Sequence, residues 1–126
     1  MKQIAIDRST RLYDQPHTGH NRWHPDIEPI LEVSAGEEVL FETRDAADGQ
    51  IKPDMSVDDS LGMDTKAAHP LTGLVYISGA KPGDLLEIEY LDIVPEVYGW
   101  ARVRPGAGFF TRSVSRSMPS ALAYGG

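Results

Sequence analysis

Apolar residues in this chain come in short bursts between polar, turn-rich stretches, and no burst sustains a helical period. Ile4 and Ile6 share one face across residues 2–6, which predicts a short first strand. Residues 14–24 are polar, include Pro16 and Gly19, and predict an extended loop. A compact strand is expected over residues 30–33. Another follows over 37–43, with Val39, Phe41 and Thr43 on one face and Glu38, Leu40 and Glu42 on the other. Residues 44–69 carry little apolar pattern. Asp48-Gly49 is a turn signal, and 52–68 reads as a long irregular loop with one helical turn near 57–61. Residues 74–78 predict a short strand. Lys81-Pro82-Gly83-Asp84 is a tight turn that launches the best strand pattern in the chain, residues 85–94. Within it Ile88 and Tyr90 alternate against Glu87 and Glu89, then the apolar parity slips to Leu91 and Ile93. Such a slip signals either a β-bulge or a strand covered on both faces. The pattern as a whole predicts an all-β chain, an antiparallel sandwich or distorted barrel with long irregular loops.

Composition narrows the picture. The chain has 126 residues, 40% of them hydrophobic and 25% charged, and its 12 Gly and 9 Pro disfavour long helices. That length makes one domain, or part of a larger one, and is enough to bury a core without metal or disulfide staples. The net charge of −7 argues against nucleic acid or an anionic membrane as partner. It is unevenly spread. Residues 1–96 hold eight basic residues against all nineteen acids, or −11, whereas 97–126 hold four arginines and no acid. The expected organisation is therefore a β-domain over 1–110 and an irregular basic tail over 111–126. Without cysteine there is no disulfide, thiolate zinc site or thiol nucleophile. Residues 1–10 lack the apolar run of a signal peptide and no later stretch has the length of a membrane span, so a cytoplasmic address is expected.

Four features carry candidate chemistry. His17, His20 and His24 lie within eight residues, beside Asp26, on a loop bounded by Pro and Gly. Imidazoles and a carboxylate suit zinc or another transition metal, although the spacing matches no standard zinc signature. The plainer alternative packs Trp23 on the core and leaves the imidazoles to bond backbone. Glu42 and Asp45 flank the end of a predicted strand, and paired carboxylates there can hold a cation or activate water. They converge only if the chain bends near Arg44; otherwise Glu42 is solvated and Asp45 starts a turn. His69, before Pro70, reads as a ligand, an acid–base group or a hydrogen-bonded loop residue. The Gly-rich 105–110 stretch lacks the flanking strand and helix of a phosphate loop, so no nucleotide cofactor is expected.

The runs His20-Asn21-Arg22-Trp23-His24-Pro25-Asp26-Ile27, Phe41-Glu42-Thr43-Arg44-Asp45 with Gly49-Gln50-Ile51, His69-Pro70-Leu71-Thr72-Gly73 and Gly83-Asp84-Leu85-Leu86-Glu87-Ile88 occur in that order. Together they resemble the amino-terminal part of the acetamidase/formamidase family, from about the first strand to Phe110. The resemblance implies hydrolysis of short linear amides such as formamide or acetamide to carboxylate and ammonia, on a β-sandwich-based fold. It implies assembly into homo-oligomers or with a completing polypeptide, and a divalent metal, zinc before calcium. Carried over by position, Glu42, Asp45 and His20 become candidate metal ligands, and His20, Asn21, Trp23 and Gln50 candidate substrate contacts. His24, His69 and Asp45 become candidate catalytic groups, with His24 or His69 protonating the leaving nitrogen. Family members are much longer than this chain, and residues after Phe110 do not continue the pattern. Three readings follow: an amidohydrolase; a catalytically incomplete β-domain with exposed apolar edges that binds or assembles; and a zinc module built on His17, His20 and His24.

Overall fold

The computed structural model describes residues 1–103 and 118–123. Its strands are β1 (Lys2–Ile4), β2 (Gly19–His20), β3 (Leu31–Val33), β4 (Val39–Phe41), β5 (Leu71–Thr72), β6 (Val75–Ile77), β7 (Tyr98–Val103) and β8 (Met118–Ala123). One short helix, α1 (Val57–Leu61), and two 3-10 turns, Leu12–Asp14 and Thr65–Ala67, complete the described elements. The described elements are thus mostly β-strands, with very little helix. No helix among the described residues is long and apolar enough to cross a membrane.

The strands pair two by two: β1 with β4 and β3 with β6 in parallel, β2 with β5 and β7 with β8 antiparallel. Antiparallel pairing, expected to predominate, therefore holds for two of these four ladders. The reason lies in the connections. Turn signals such as Asp48-Gly49 and Lys81–Asp84 suit hairpins, but neither joins two strands that pair with each other. Each ladder instead joins strands separated by a long stretch of chain, and long connections permit parallel pairing. The described ladders are small and close no barrel.

Two compact units divide the chain. The first comprises Met1–Gln50 and Asp64–Glu87; the second holds Ile51–Met63 and the described residues from Ile88 onward. In the first, Ile4, Val33 and Ala47 are the buried hydrophobic residues, joined by the buried polar Thr18 and Asp48. No large side chain among the described residues is fully buried. The chain is long enough for a substantial core, but among the described residues only Ile4 and Val33 of its large apolar side chains are buried.

Local structure follows the sequence closely at the turns. Asp48 and Gly49 both adopt positive φ, 55° and 72°, the left-handed conformation that this dipeptide tolerates. Lys81–Asp84 closes with Asp84 N donating to the Lys81 carbonyl at 3.0 Å, while Gly83 takes φ 99°. In the second unit α1 occupies the expected 57–61. Ser56 Oγ accepts from Asp59 N at 3.1 Å, and Asp59 Oδ2 accepts from Ser56 N at 3.1 Å, a reciprocal cap. The Ser56 hydroxyl and amide both donate to Asp59, which holds its carboxyl below the usual range.

The 85–94 segment departs from expectation. Residues 85–96 belong to no strand or helix, so the bulge inferred from the parity slip has no counterpart. Strand-forming side chains do not make a strand without a paired neighbour, and among the described residues none is paired alongside. Of the 111–126 stretch, expected to be irregular throughout, Met118–Ala123 forms β8, whose backbone finds a full ladder along β7. The Gly-rich 105–110 stretch and the remainder of the tail lie outside the described residues.

Candidate functional site

The chain turns sharply after β4, and Asp45 organises the turn. Asp45 Oδ1 accepts from Ala47 N at 2.8 Å, Oδ2 from Gly49 N at 2.7 Å, and its carbonyl from Asp48 N at 3.0 Å. Gln50 N donates to the Ala47 carbonyl at 3.3 Å, so four consecutive amides have acceptors within the turn. Glu42, just before it, continues the β1–β4 pairing: its N–H donates to the Ile4 carbonyl at 3.0 Å, and its Oε2 accepts from Ile6 N at 2.8 Å.

Beneath the turn lies an ion pair that sequence reasoning missed. Arg44 Nη1 is 3.2 Å from Asp48 Oδ1, and the two side chains are only 6% and 2% exposed. Arg44 Nη1 also donates to the Thr10 carbonyl at 2.6 Å, and both Asp48 oxygens accept from Leu12 N, at 2.9 and 3.2 Å. The pair ties the turn to residues 10–12, although the Nε of Arg44 is buried without a hydrogen-bond partner. The available signal was the i, i+4 spacing of opposite charges across Asp48-Gly49, which the turn motif alone masks.

The remaining motif segments meet this turn through the backbone. Gly19 and His20 of β2 lie opposite Thr72 and Leu71 of β5. The approach demands glycine: a Cβ at Gly19 would fall 2.2 Å from the Leu71 carbonyl oxygen. Thr72 Oγ1 donates to the Glu42 carbonyl at 2.8 Å, and His69 N to the Ala46 carbonyl at 2.8 Å. Asn21 Nδ2 donates to the Lys66 carbonyl at 2.7 Å. Gln50 clamps Asp64, with Oε1 accepting from Asp64 N at 2.9 Å and Nε2 donating to Asp64 O at 3.1 Å. Three of the four motif runs therefore gather in the first unit. Asn21 and Gln50, expected to touch substrate, serve the main chain of residues 64–66.

The imidazoles are disposed differently from one another. His20 is half-buried, its Nδ1 has no hydrogen-bond partner, and its ring meets Trp23 edge-on at 6.2 Å between centroids. Trp23 is 85% exposed, so it does not anchor the loop in the core. His24 is exposed; its Nδ1 accepts from Asp26 N at 3.2 Å and lies 3.8 Å from Asp26 Oδ2. His69 is exposed at φ 59°, and His17 is exposed.

Among the described residues no three of His, Asp and Glu form a group that could hold a metal ion. This covers both Glu42, Asp45 and His20, and the His17, His20 and His24 cluster. Both Asp45 oxygens and one of Glu42 already serve backbone amides. Within the described residues these donors are engaged with the main chain and are not gathered around a common point. A small hollow of about 90 Å³ in the second unit is lined by Met55, Ser60, Trp100 and Arg102 among others, and by none of the expected site residues.

Comparison with known proteins fits this geometry. The model of the Acetamidase/Formamidase family matches residues 5–123. An acetamidase of Mycolicibacterium smegmatis is 42% identical over 92 residues, covering 73% of this chain and 23% of that protein. A formamidase of Methylophilus methylotrophus is 36% identical over 90 residues, covering 71% of this chain and 22% of that protein. Among solved structures, the gamma lactamase from Delftia acidovorans matches all of this chain and 32% of its own, at 34% identity and a TM-score of 0.88. The chain thus spans between a fifth and a third of the length of these relatives, and it belongs to the acetamidase/formamidase family.

Proposed function

We propose that this chain is a partial unit of an amidohydrolase, contributing a pre-assembled polar cluster to hydrolysis that it does not complete alone. The reaction adds water to a carboxamide carbon and breaks the C–N bond, giving a carboxylate and ammonia. The departing nitrogen needs a proton, and the exposed imidazoles of His24 and His69 are the groups in this chain suited to donate it. Asp45, Asn21 and Gln50 act one step back. They hold the 45–50 turn and the 64–66 main chain against which His69 and β5 are set. His20 and Trp23 form an aromatic edge able to border a small amide.

The observation that carries this reading is the gathering of three separate family motif runs in one unit by main-chain bonds, in a chain that spans at most 32% of the relatives considered. Thin burial supports the incomplete form. Few large apolar residues find an interior, and the sandwich expected of the family would arise when further strands join these small ladders.

Ammonia release from formamide and acetamide, and ring opening of a γ-lactam to its amino acid, test the proposal. This chain alone is expected to give only background turnover. A chimera in which it replaces the matched third of the Delftia acidovorans gamma lactamase is expected to turn over at least one of the three. Turnover by the isolated chain would refute incompleteness; a folded chimera inactive on all three would refute the amidohydrolase role.

A further inference from the structure

Residues 88–97 of the second unit combine strand-forming composition with exposure. Ile88, Tyr90, Leu91, Ile93, Val94 and Val97 are 63–84% exposed, and residues 88–96 belong to no strand or helix. Extended with a period of two, Ile88, Tyr90 and Val94 fall on one face and Leu91 and Ile93 on the other. An edge strand with one face in water would alternate apolar with polar. Apolar side chains on both faces mark a strand made to be covered on both sides. Left uncovered, such a segment is a template for pairing with another strand.

We propose that residues 88–94, ending before Pro95, whose missing N–H cannot serve an interior ladder, are an interior strand of a larger sheet, and that the neighbour is a strand from the two-thirds of the family fold that this chain does not span. Two observations select this occupant. The gamma lactamase from Delftia acidovorans matches the whole of this chain at a TM-score of 0.88, yet the match takes in only 32% of that protein. Most of the polypeptide in that fold therefore lies outside the matched part and is available to cover it. Charge argues against the other simple occupant, a second copy. Residues 88–97 carry Glu89, Asp92 and Glu96 and no Lys or Arg. Two copies would bring acid towards acid across the ladder, where like charges destabilise pairing. The neighbour is an extended segment, apolar on both faces, with Lys or Arg placed opposite Glu89 and Asp92; main-chain bonds supply affinity and those cations register.

Hydrogen exchange, read by mass spectrometry on peptides spanning 88–94, tests the proposal. In the isolated chain these amides are expected to exchange freely at low and high protein concentration. In the chimera described above they are expected to slow by at least about tenfold. The Ile93→Lys variant is expected to lose that protection in the chimera while leaving the isolated chain folded, since Ile93 is already exposed there. Protection that appears in the isolated chain as concentration rises would identify a second copy as occupant and overturn the proposal. So would a chimera that leaves these amides unprotected, or that does not fold around this chain. The inference rests on family membership but not on catalysis: protection without turnover would sink the proposed reaction and leave the strand assignment standing.

Discussion

The Asp45–Gln50 turn and residues 88–97 answer the same physical demand in opposite ways. Each contains backbone that must find hydrogen-bond partners. The turn finds them at once: the amides of Ala47, Asp48, Gly49 and Gln50 all donate to acceptors within a few residues, and a buried ion pair locks the turn from below. Residues 88–97, far more apolar, enter a regular ladder only at Tyr98. Polar local chemistry can complete itself in a short chain. A two-faced apolar strand cannot, because its partners are layers of structure. The contrast shows which parts of the family fold are self-contained and which depend on the rest.

If the turn is self-contained, breaking it should cost this chain dearly. Arg44→Ala leaves Asp48 buried without its counter-charge, and chemical denaturation is expected to show a loss of about 3–5 kcal/mol. Loss below about 1 kcal/mol would mean that the pair is hydrated in solution and that the turn stands without it. Asp45→Ala removes the acceptor for two amides and is expected to cost about 1–2 kcal/mol, with Asp45→Asn, which keeps one acceptor, recovering part of that loss. On the other side of the comparison, Ile93→Ser is expected to change the isolated chain's stability by less than about 0.5 kcal/mol, as befits an exposed residue. A large loss there would show that 88–97 is packed after all.

The smallest effect is a pH dependence. Donation from the Ser9 hydroxyl and amide holds Asp7 below its ordinary range; the Ser34 amide and then Lys2 do so for Glu37, and Ser56 for Asp59. With folded pKa values depressed, the unfolded chain binds more protons in acid. The stability these groups contribute is whole above the ordinary carboxylate range, about pH 4, and is lost as pH falls through it towards the lower folded values. All three are exposed, so the decline is expected to be shallow. Denaturation midpoints that rise on acidification would contradict the assignment.

Much of the local structure was legible in the sequence, because turns and caps are decided by neighbours. Asp48-Gly49, Lys81–Asp84 and the 57–61 helical turn stand where glycine, proline and serine place them. Pairing was not legible. β1 and β4 are joined over more than thirty intervening residues, and nothing in either strand names the other. The functional residues divide the same way. Their motif runs identified the family, but the bonds that the Asn21 and Gln50 amides make to distant main chain had no sign in the sequence. The 85–94 pattern was the strongest in the chain and yielded no strand, since it encodes burial that this chain alone does not provide.

Hydrogen exchange mapped along the isolated chain sets the two regions side by side in one experiment. Slow exchange at Ala47, Asp48, Gly49 and Gln50 together with free exchange across 88–94 is the expected result, the signature of a unit whose polar cluster is built and whose apolar strand awaits its neighbours. Protection of 88–94 at every concentration, or a 47–50 turn that exchanges as fast as that segment, would contradict it.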